Sequence, residues 1–390
     1  MTKSIKLIVD SNKKLRANCP ASCIIESEDD ISGEIWLHDA ANNLWLPGYA
    51  HLVNNGNFRM FTVIPHLPAS CSFELDMYTQ RPKSFRGFSF QPMKMDRLDG
   101  GIYRIEKNGQ LFTNLYTKTG IRPFLMPIIG PNYKSVTREY PLKEVEGGTT
   151  DHIHHRSLLT AWGDINGYDN WSEHKNAAHQ VVQDVKIAEA CSALTHLKLE
   201  ILWTGEKEDE SVMDEERDIY IYNLLGSGES VIDFRLKFTA SYCDVHFNDT
   251  KEAGLISVRV ADSMRGKVGG KIANAKGKKK EIRCWGRKAA WCDYSGEVDG
   301  DMVGITVMDH PSNAGFPSRW HVREYGLMGA NPWAQKCFKF ILPEKSHTIK
   351  KGEDLVLNYR VYVHCGDAEV SEIDRVYNDF VNPAKMNCKK

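Results

Sequence analysis

No stretch of this 390-residue chain is apolar for long enough to cross a membrane, and its first fifteen residues carry charges on both sides of a short apolar run. A secretory leader needs a longer apolar segment and a small-residue cleavage site, so the expected location is the cytoplasm, or the periplasm had a leader been removed. Net charge is lacking too. Fifty lysines and arginines face 51 aspartates and glutamates, a formal −1, which gives no support to a nucleic-acid or anionic-membrane partner. Ten cysteines with no CxxC pair are too dilute for a disulfide scaffold. Cys19 and Cys23 have a CxxxC spacing, weak as a metal signal without a second pair, and the thiols read as mainly buried groups in a reducing compartment. HExxH, GxSxG, GxGxxG and GxxxxGK[ST] are all missing.

Helical periodicity is scarce as well. Its best example is AEVSEIDRVYNDFVNP, where Val370, Ile373, Val376, Tyr377 and Phe380 make one apolar stripe and Pro383 closes it. What the chain has instead is period two. CSFELDMY, HLKLEILW, RDIYIYNLL, VIDFRLKFTA and VLNYRVYVHC alternate apolar with polar residues, the pattern of half-buried antiparallel strands. No unit of strand, glycine loop and helix recurs. With 42% hydrophobic residues the chain can fill one large core or two modest ones. The expected fold is therefore all-β: a large antiparallel β-sandwich, supersandwich-like in extent, with a smaller N-terminal β-sandwich region and few helices. The softest boundary, Lys83–Gly100, divides a small N-terminal β domain (1–98) from a large sandwich domain (99–390) that carries the site.

Polar chemistry gathers in three places. GGTTDHIHHRSLLTAWGDINGYDNW holds His152, His154 and His155 beside Asp151 and Arg156, then Asp164, Asn166 and Trp171 in a glycine-rich turn. If the histidines lie on a strand, His152 and His154 share one face, which suits metal ligation, acid/base work or sugar binding. One of them satisfied by Asp151 is the plainer alternative. CDVHFNDTKEAG places His246, Asp249, Lys251 and Glu252 after a good strand, either a site or a charged hairpin turn. MDHPSNAGFPSRWHVREYGLMGANPW contributes Asn313, Trp320, His321, Arg323, Tyr325 and Asn331. His321, Arg323 and Tyr325 at period two would share a face as a base, a carboxylate-neutralising cation and a phenolic acid. A basic run, Gly266–Arg283, reads as a solvated hairpin or flap, or as a polyanion contact.

From about Tyr116 to Trp333 the chain resembles a bacterial family commonly labelled "methane oxygenase PmoA". The resemblance rests on RPFLMPIIGP, VTREYP, DHIHHRSLLTAWGDINGYDNW, FNDTKEAGLISVRV, WGRKAAWCDYSG and DHPSNAGFPSRWHVREYGLMGANPW. Ile153 stands where that family's HPHH pattern has proline, and Asn248 and Ala253 replace glycines of its FGDTKEG. The resemblance implies carbohydrate or glycoside metabolism, while the oxygenase label has no hydrophobic span here to match it.

Together these readings predict an enzyme that cleaves a glycosidic bond, as a glycoside hydrolase or as a polysaccharide or glycoside lyase. A non-catalytic carbohydrate-binding sandwich is the competing class. The candidate catalytic residues are His154, His321, Arg323, Tyr325, Glu252 and Asp249. Contacts to a carbohydrate or glycoside substrate are expected from His155, Arg156, Asp164, Asn166, Trp171, Asn313, Trp320 and Asn331. A divalent metal, if used, is expected on His152, His154 and His246, with zinc, manganese or iron fitting such a set.

Overall fold

The computed structural model describes residues 5–83, 91–207, 210–226 and 228–389, so part of the Lys83–Gly100 boundary lies outside the described residues. The architecture is antiparallel β with very few helices, as the period-two pattern predicts. Three sheets hold most of the chain. The first has seven strands: six run from Ile5–Asp10 to Ser72–Tyr78, and Lys385–Cys388 returns from the C-terminus to pair with Ile5–Asp10. The second has eight, ordered from Arg319–Arg323 at one edge through Leu327–Asn331, Ala253–Arg259 and Leu158–Trp162 to Lys94–Leu98 at the other. The third, also eight-stranded, runs from Gln180–Ala190 to Lys271–Asn274.

The second and third sheets face each other over one continuous core. Trp162, Leu255, Val258, Trp320, Val322 and Met328 from one meet Leu199, Trp203, Phe234, Ile305 and Val361 from the other. The first sheet buries a core of its own, with Leu37, Leu46, Met60, Ile64 and Leu75. Its outer residues Tyr49, Phe61 and Val63 then pack on the back of the third sheet, against Tyr220, Tyr222 and Tyr362. The C-terminal helix Ile373–Val381 joins this contact through Ile373 and Val376, whereas Val370 of the expected stripe precedes the helix and is exposed. Buried Arg16 fastens the helix to the first sheet by donating to Asp379 at 2.6 Å. All ten cysteines are free; Cys19, Cys284 and Cys292 are buried as expected of most, but Cys71, Cys365 and Cys388 are exposed.

The second sheet thus has one face in the core and one turned outward, and the outward face carries the candidate site. Phe124, Met126, Leu159, Trp171 and Leu327 form a small apolar floor there, with Tyr116 and Tyr325 against it.

Candidate active site

The stretch that leads into the strand Leu158–Trp162, residues 147–157, lies over that outward face, and Asp151 pins it. Arg138 and Arg259 both donate to Asp151 Oδ1, at 2.8 and 2.7 Å, and His152 Nδ1 lies 2.8 Å from Oδ2. Arg138 also donates to the carbonyls of Asp151 and His152, at 2.9 and 3.0 Å. Turning those carbonyls toward one guanidinium bends the chain, with φ at +46° on His152 and +47° on Ser157. The regular strand begins only at Leu158. The expectation of an extended strand with His152 and His154 on one face is therefore corrected. His152 stacks on His155, ring centroids 4.7 Å apart and planes within 4°, and on Tyr325, 4.9 Å away and within 8°. His154 stands edge-on to His155 at 4.3 Å.

The edge strand Arg319–Arg323 supplies the next wall. Trp320 and Val322 face the core, so alternation turns Arg319, His321 and Arg323 outward. The His321 ring lies 6.1 Å from that of Trp171. Tyr325, in the turn after the strand, is flanked by two cations, with Arg259 4.9 Å and Arg323 5.6 Å from its ring. Arg323 is oriented by Glu281, 3.0 Å from its Nε. Glu252, paired with Lys251, lies close enough to act electrostatically on both His154 and Tyr325.

This surrounding sets the protonation states. Burial, then Arg122 and His152, lower His154 to a pKa of about 4. Burial, with Lys251 and Arg323, lowers His321 to about 3. His155 is held well below its ordinary value by burial, then His154 and Arg259. Burial outweighs the two neighbouring arginines and raises the Tyr325 phenol to about 12. At neutral pH His154, His155 and His321 are therefore uncharged and the Tyr325 phenol is protonated, beside fixed cations. Three buried ring nitrogens, His155 Nε2, His321 Nδ1 and Trp171 Nε1, have no hydrogen-bond partner. Orphaned donors and acceptors at one place are costly, and a polar ligand would relieve them.

The structure thus gathers His152, His154, His155, Glu252, His321, Arg323, Tyr325 and Trp171. It places the other candidates elsewhere or gives them structural partners. Asp249 accepts from the backbone N–H groups of Gln335, Lys336, Cys337 and Lys345, which ties down a loop. Asp164 accepts from Gly167 N and Asn248 Nδ2, and Asn166 bonds the backbone of Asp244 and His246. Asn313 is buried between Asp309 and the backbone of Asn358, and Asn331 between Thr250 and Ala334. Trp320 is fully buried in the core, its Nε1 donating to Ala289. Arg156 makes a two-bond pair with Glu173, at 2.8 and 2.6 Å. Of the three metal candidates, His152 and His154 are neighbours in the site, their ring centroids 5.8 Å apart, but His246 does not join them. His246 sits in a two-stranded ribbon with Nδ1 2.9 Å from Thr348 Oγ1, and no group of three ligating side chains occurs among the described residues.

Four participants escaped the sequence reading: Arg138, Arg259, Arg122 and Glu281. Arg122 is buried and donates to the carbonyl of Trp171 at 2.7 Å. A signal existed, since Arg259 is the one charged residue in LISVRV, and a lone charge in a core strand needs a partner.

Residues 103–378 match the family of unknown function DUF6807. The chain belongs to this family. Membership corrects the resemblance drawn from the motifs: an oxygenase of the PmoA kind is a helical membrane-spanning protein, whereas this family member is all-β. None of its helices among the described residues is long and apolar enough to cross a membrane. No curated protein matches the chain. Two solved structures similar to it are of a Glycoside Hydrolase Family 97 enzyme from Pseudoalteromonas sp. strain K8, both substituted variants and one of them in complex with panose. Identities are 10% and 11%, each with a TM-score of 0.31, over 70% and 72% of this chain and 35% and 37% of theirs. The DUF6807 chain thus spans about a third of the length of those structures. So low a likeness carries no argument about the reaction.

Proposed function

We propose that this DUF6807 protein is a carbohydrate-active enzyme that breaks the glycosidic bond of an acidic sugar by β-elimination. The observation that carries the reading is the pairing of uncharged histidines with a protonated Tyr325 phenol beside Arg323. Elimination needs those three things: a base for the proton α to the carboxylate, a cation to stabilise the charge that develops there, and an acid for the leaving oxygen.

His154 is the base, because it is only half-buried while His155 and His321 are buried. It takes the α proton. The C–H electron pair becomes the carbon–carbon double bond, the bond from the β carbon to the glycosidic oxygen breaks, and Tyr325 protonates that oxygen. Arg323 pairs with the carboxylate through the guanidinium nitrogens that Glu281 leaves free. A histidine at about 4 is a weak base in the free protein. An arriving carboxylate raises it toward the working pH, so the base strengthens only when the right substrate is bound.

Hydrolysis by two carboxyl groups is less well served. Asp249 is committed to four backbone N–H groups and Asp164 to its own turn, while Asp151 is paired with Arg138 and Arg259 and Glu281 with Arg323, so Glu252 has no uncommitted carboxylate among these to work with. Purified protein screened on uronic-acid and neutral glycosides tests the proposal. Unsaturated product, seen by ultraviolet absorbance and lost in His154→Ala and Arg323→Ala, is the expected result. Binding without turnover that survives both substitutions would make the protein a carbohydrate-binding module instead.

A further inference from the structure

The edge strand Arg319–Arg323 carries more than reacting groups. His321 and Arg323 belong to the site, but Arg319, on the same face, lines a separate groove of about 590 Å³. Seven of its nine lining residues are lysine or arginine, Lys276, Lys278, Arg287 and Lys288 among them, and none is acidic. Some lysines elsewhere on the surface are paired, as Lys198 and Lys237 are with Glu216 and Lys336 is with Glu344. Lys276, Lys278, Arg287 and Lys288 enter no ion pair among the described residues.

Crowding like charges without counter-ions raises the folded state's energy, and burial together with Lys345 and Arg319 lowers the Lys288 pKa accordingly. The floor is nonetheless fixed. Lys288 bridges Arg319 through the backbone, and Arg319 donates to the carbonyl of Gly286 at 3.0 Å and to Gln335 at 3.1 Å. A fixed, uncompensated basic groove fits a polyanion. Its lining contains no aromatic ring on which a base could stack, which disfavours a single-stranded nucleic acid.

Arg319 and Arg323 are four residues apart along the strand, about 13 Å at roughly 3.3 Å per residue. A monosaccharide does not bridge that span, and a short oligosaccharide does. We infer that the groove is a subsite for an anionic polysaccharide whose reacting unit sits at His154, Arg323 and Tyr325. The inference rests on the acidic-sugar reading of that site.

Calorimetric titration with galacturonate monomer and with short polygalacturonate fragments tests it, on wild type and on Lys278→Glu and Arg287→Glu, whose thermal unfolding is checked first. Wild type should bind the fragments at least about tenfold more tightly than the monomer, and the advantage should shrink as salt is added. Each variant should lose about tenfold in fragment affinity while its affinity for the monomer stays unchanged. Fragment affinity indifferent to both substitutions would overturn the inference, as would tighter binding of a single-stranded DNA of equal length. Turnover separates the two claims. Elimination from a small acidic glycoside, with groove variants that bind fragments normally, removes the groove alone. Charge-sensitive fragment binding without any elimination keeps the groove and removes the reaction.

Discussion

Tyr325 has a packing role and a proposed chemical one, and the two can be separated. Its ring stacks on His152 and is flanked by Arg259 and Arg323, whereas the proposed elimination uses only its hydroxyl. Tyr325→Phe keeps the ring contacts, so stability should change by no more than about 0.5 kcal/mol. Loss of the acid should lower kcat by on the order of 10²–10⁴-fold. Matched thermal unfolding and steady-state kinetics check both. His154 makes a second residue-scale prediction. Its pKa of about 4 places the acid limb of kcat/KM well below the 6.5 of an ordinary histidine, with activity rising as pH rises through that limb. The kcat limb, which reports the loaded site, should lie higher because the bound carboxylate favours protonation. An acid limb of kcat/KM at 6.5 or above would remove His154 as the base.

Elements divide into those the sequence makes plain and those it hides. Strands such as Leu194–Thr204 and Ser230–Thr239 are legible because every second residue must enter the core. The face shared by His321 and Arg323 follows from the same alternation, once Trp320 is recognised as core. The histidine segment is not legible that way. Its bend is imposed by Arg138 and Arg259, which converge on Asp151 from elsewhere in the chain, and no local period records such a partnership. Asp249 misled for a related reason, since its partners lie in the loop Gln335–Lys345, some ninety residues onward. Asp151→Ala tests the element-scale account. It removes charge-assisted bonds from two buried arginines, so stability should fall by on the order of 2–3 kcal/mol. Hydrogen exchange should rise most in residues 147–157. Unchanged protection there would contradict the pinning role.

For the whole molecule, the histidines decide how stability responds to acid. His51, His154 and His321 are lowered to about 4, 4 and 3, chiefly by burial, and His155, His310 and His347 are lowered in the same way. Only His364 is shifted up; Asp293 there overcomes the burial that opposes it. A lowered histidine pKa means the unfolded chain binds more protons between the folded value and 6.5, so its contribution to stability is lost as pH falls through that window. His364 works in the opposite direction, as does Asp309, which burial raises to about 6, and the six lowered histidines outweigh these two. The midpoint of denaturant unfolding should therefore fall between pH 7 and pH 5, and a flat profile would contradict these burial assignments.

The reaction itself is open to one direct measurement: incubation of an acidic glycoside with the protein in oxygen-18 water, followed by mass analysis of both fragments. Elimination through His154 and Tyr325 breaks the bond without adding water. The account therefore predicts an unsaturated acid and an unlabelled leaving sugar, both formed at least about a hundredfold more slowly with Tyr325→Phe. A saturated product carrying oxygen-18 at its new hydroxyl would contradict it.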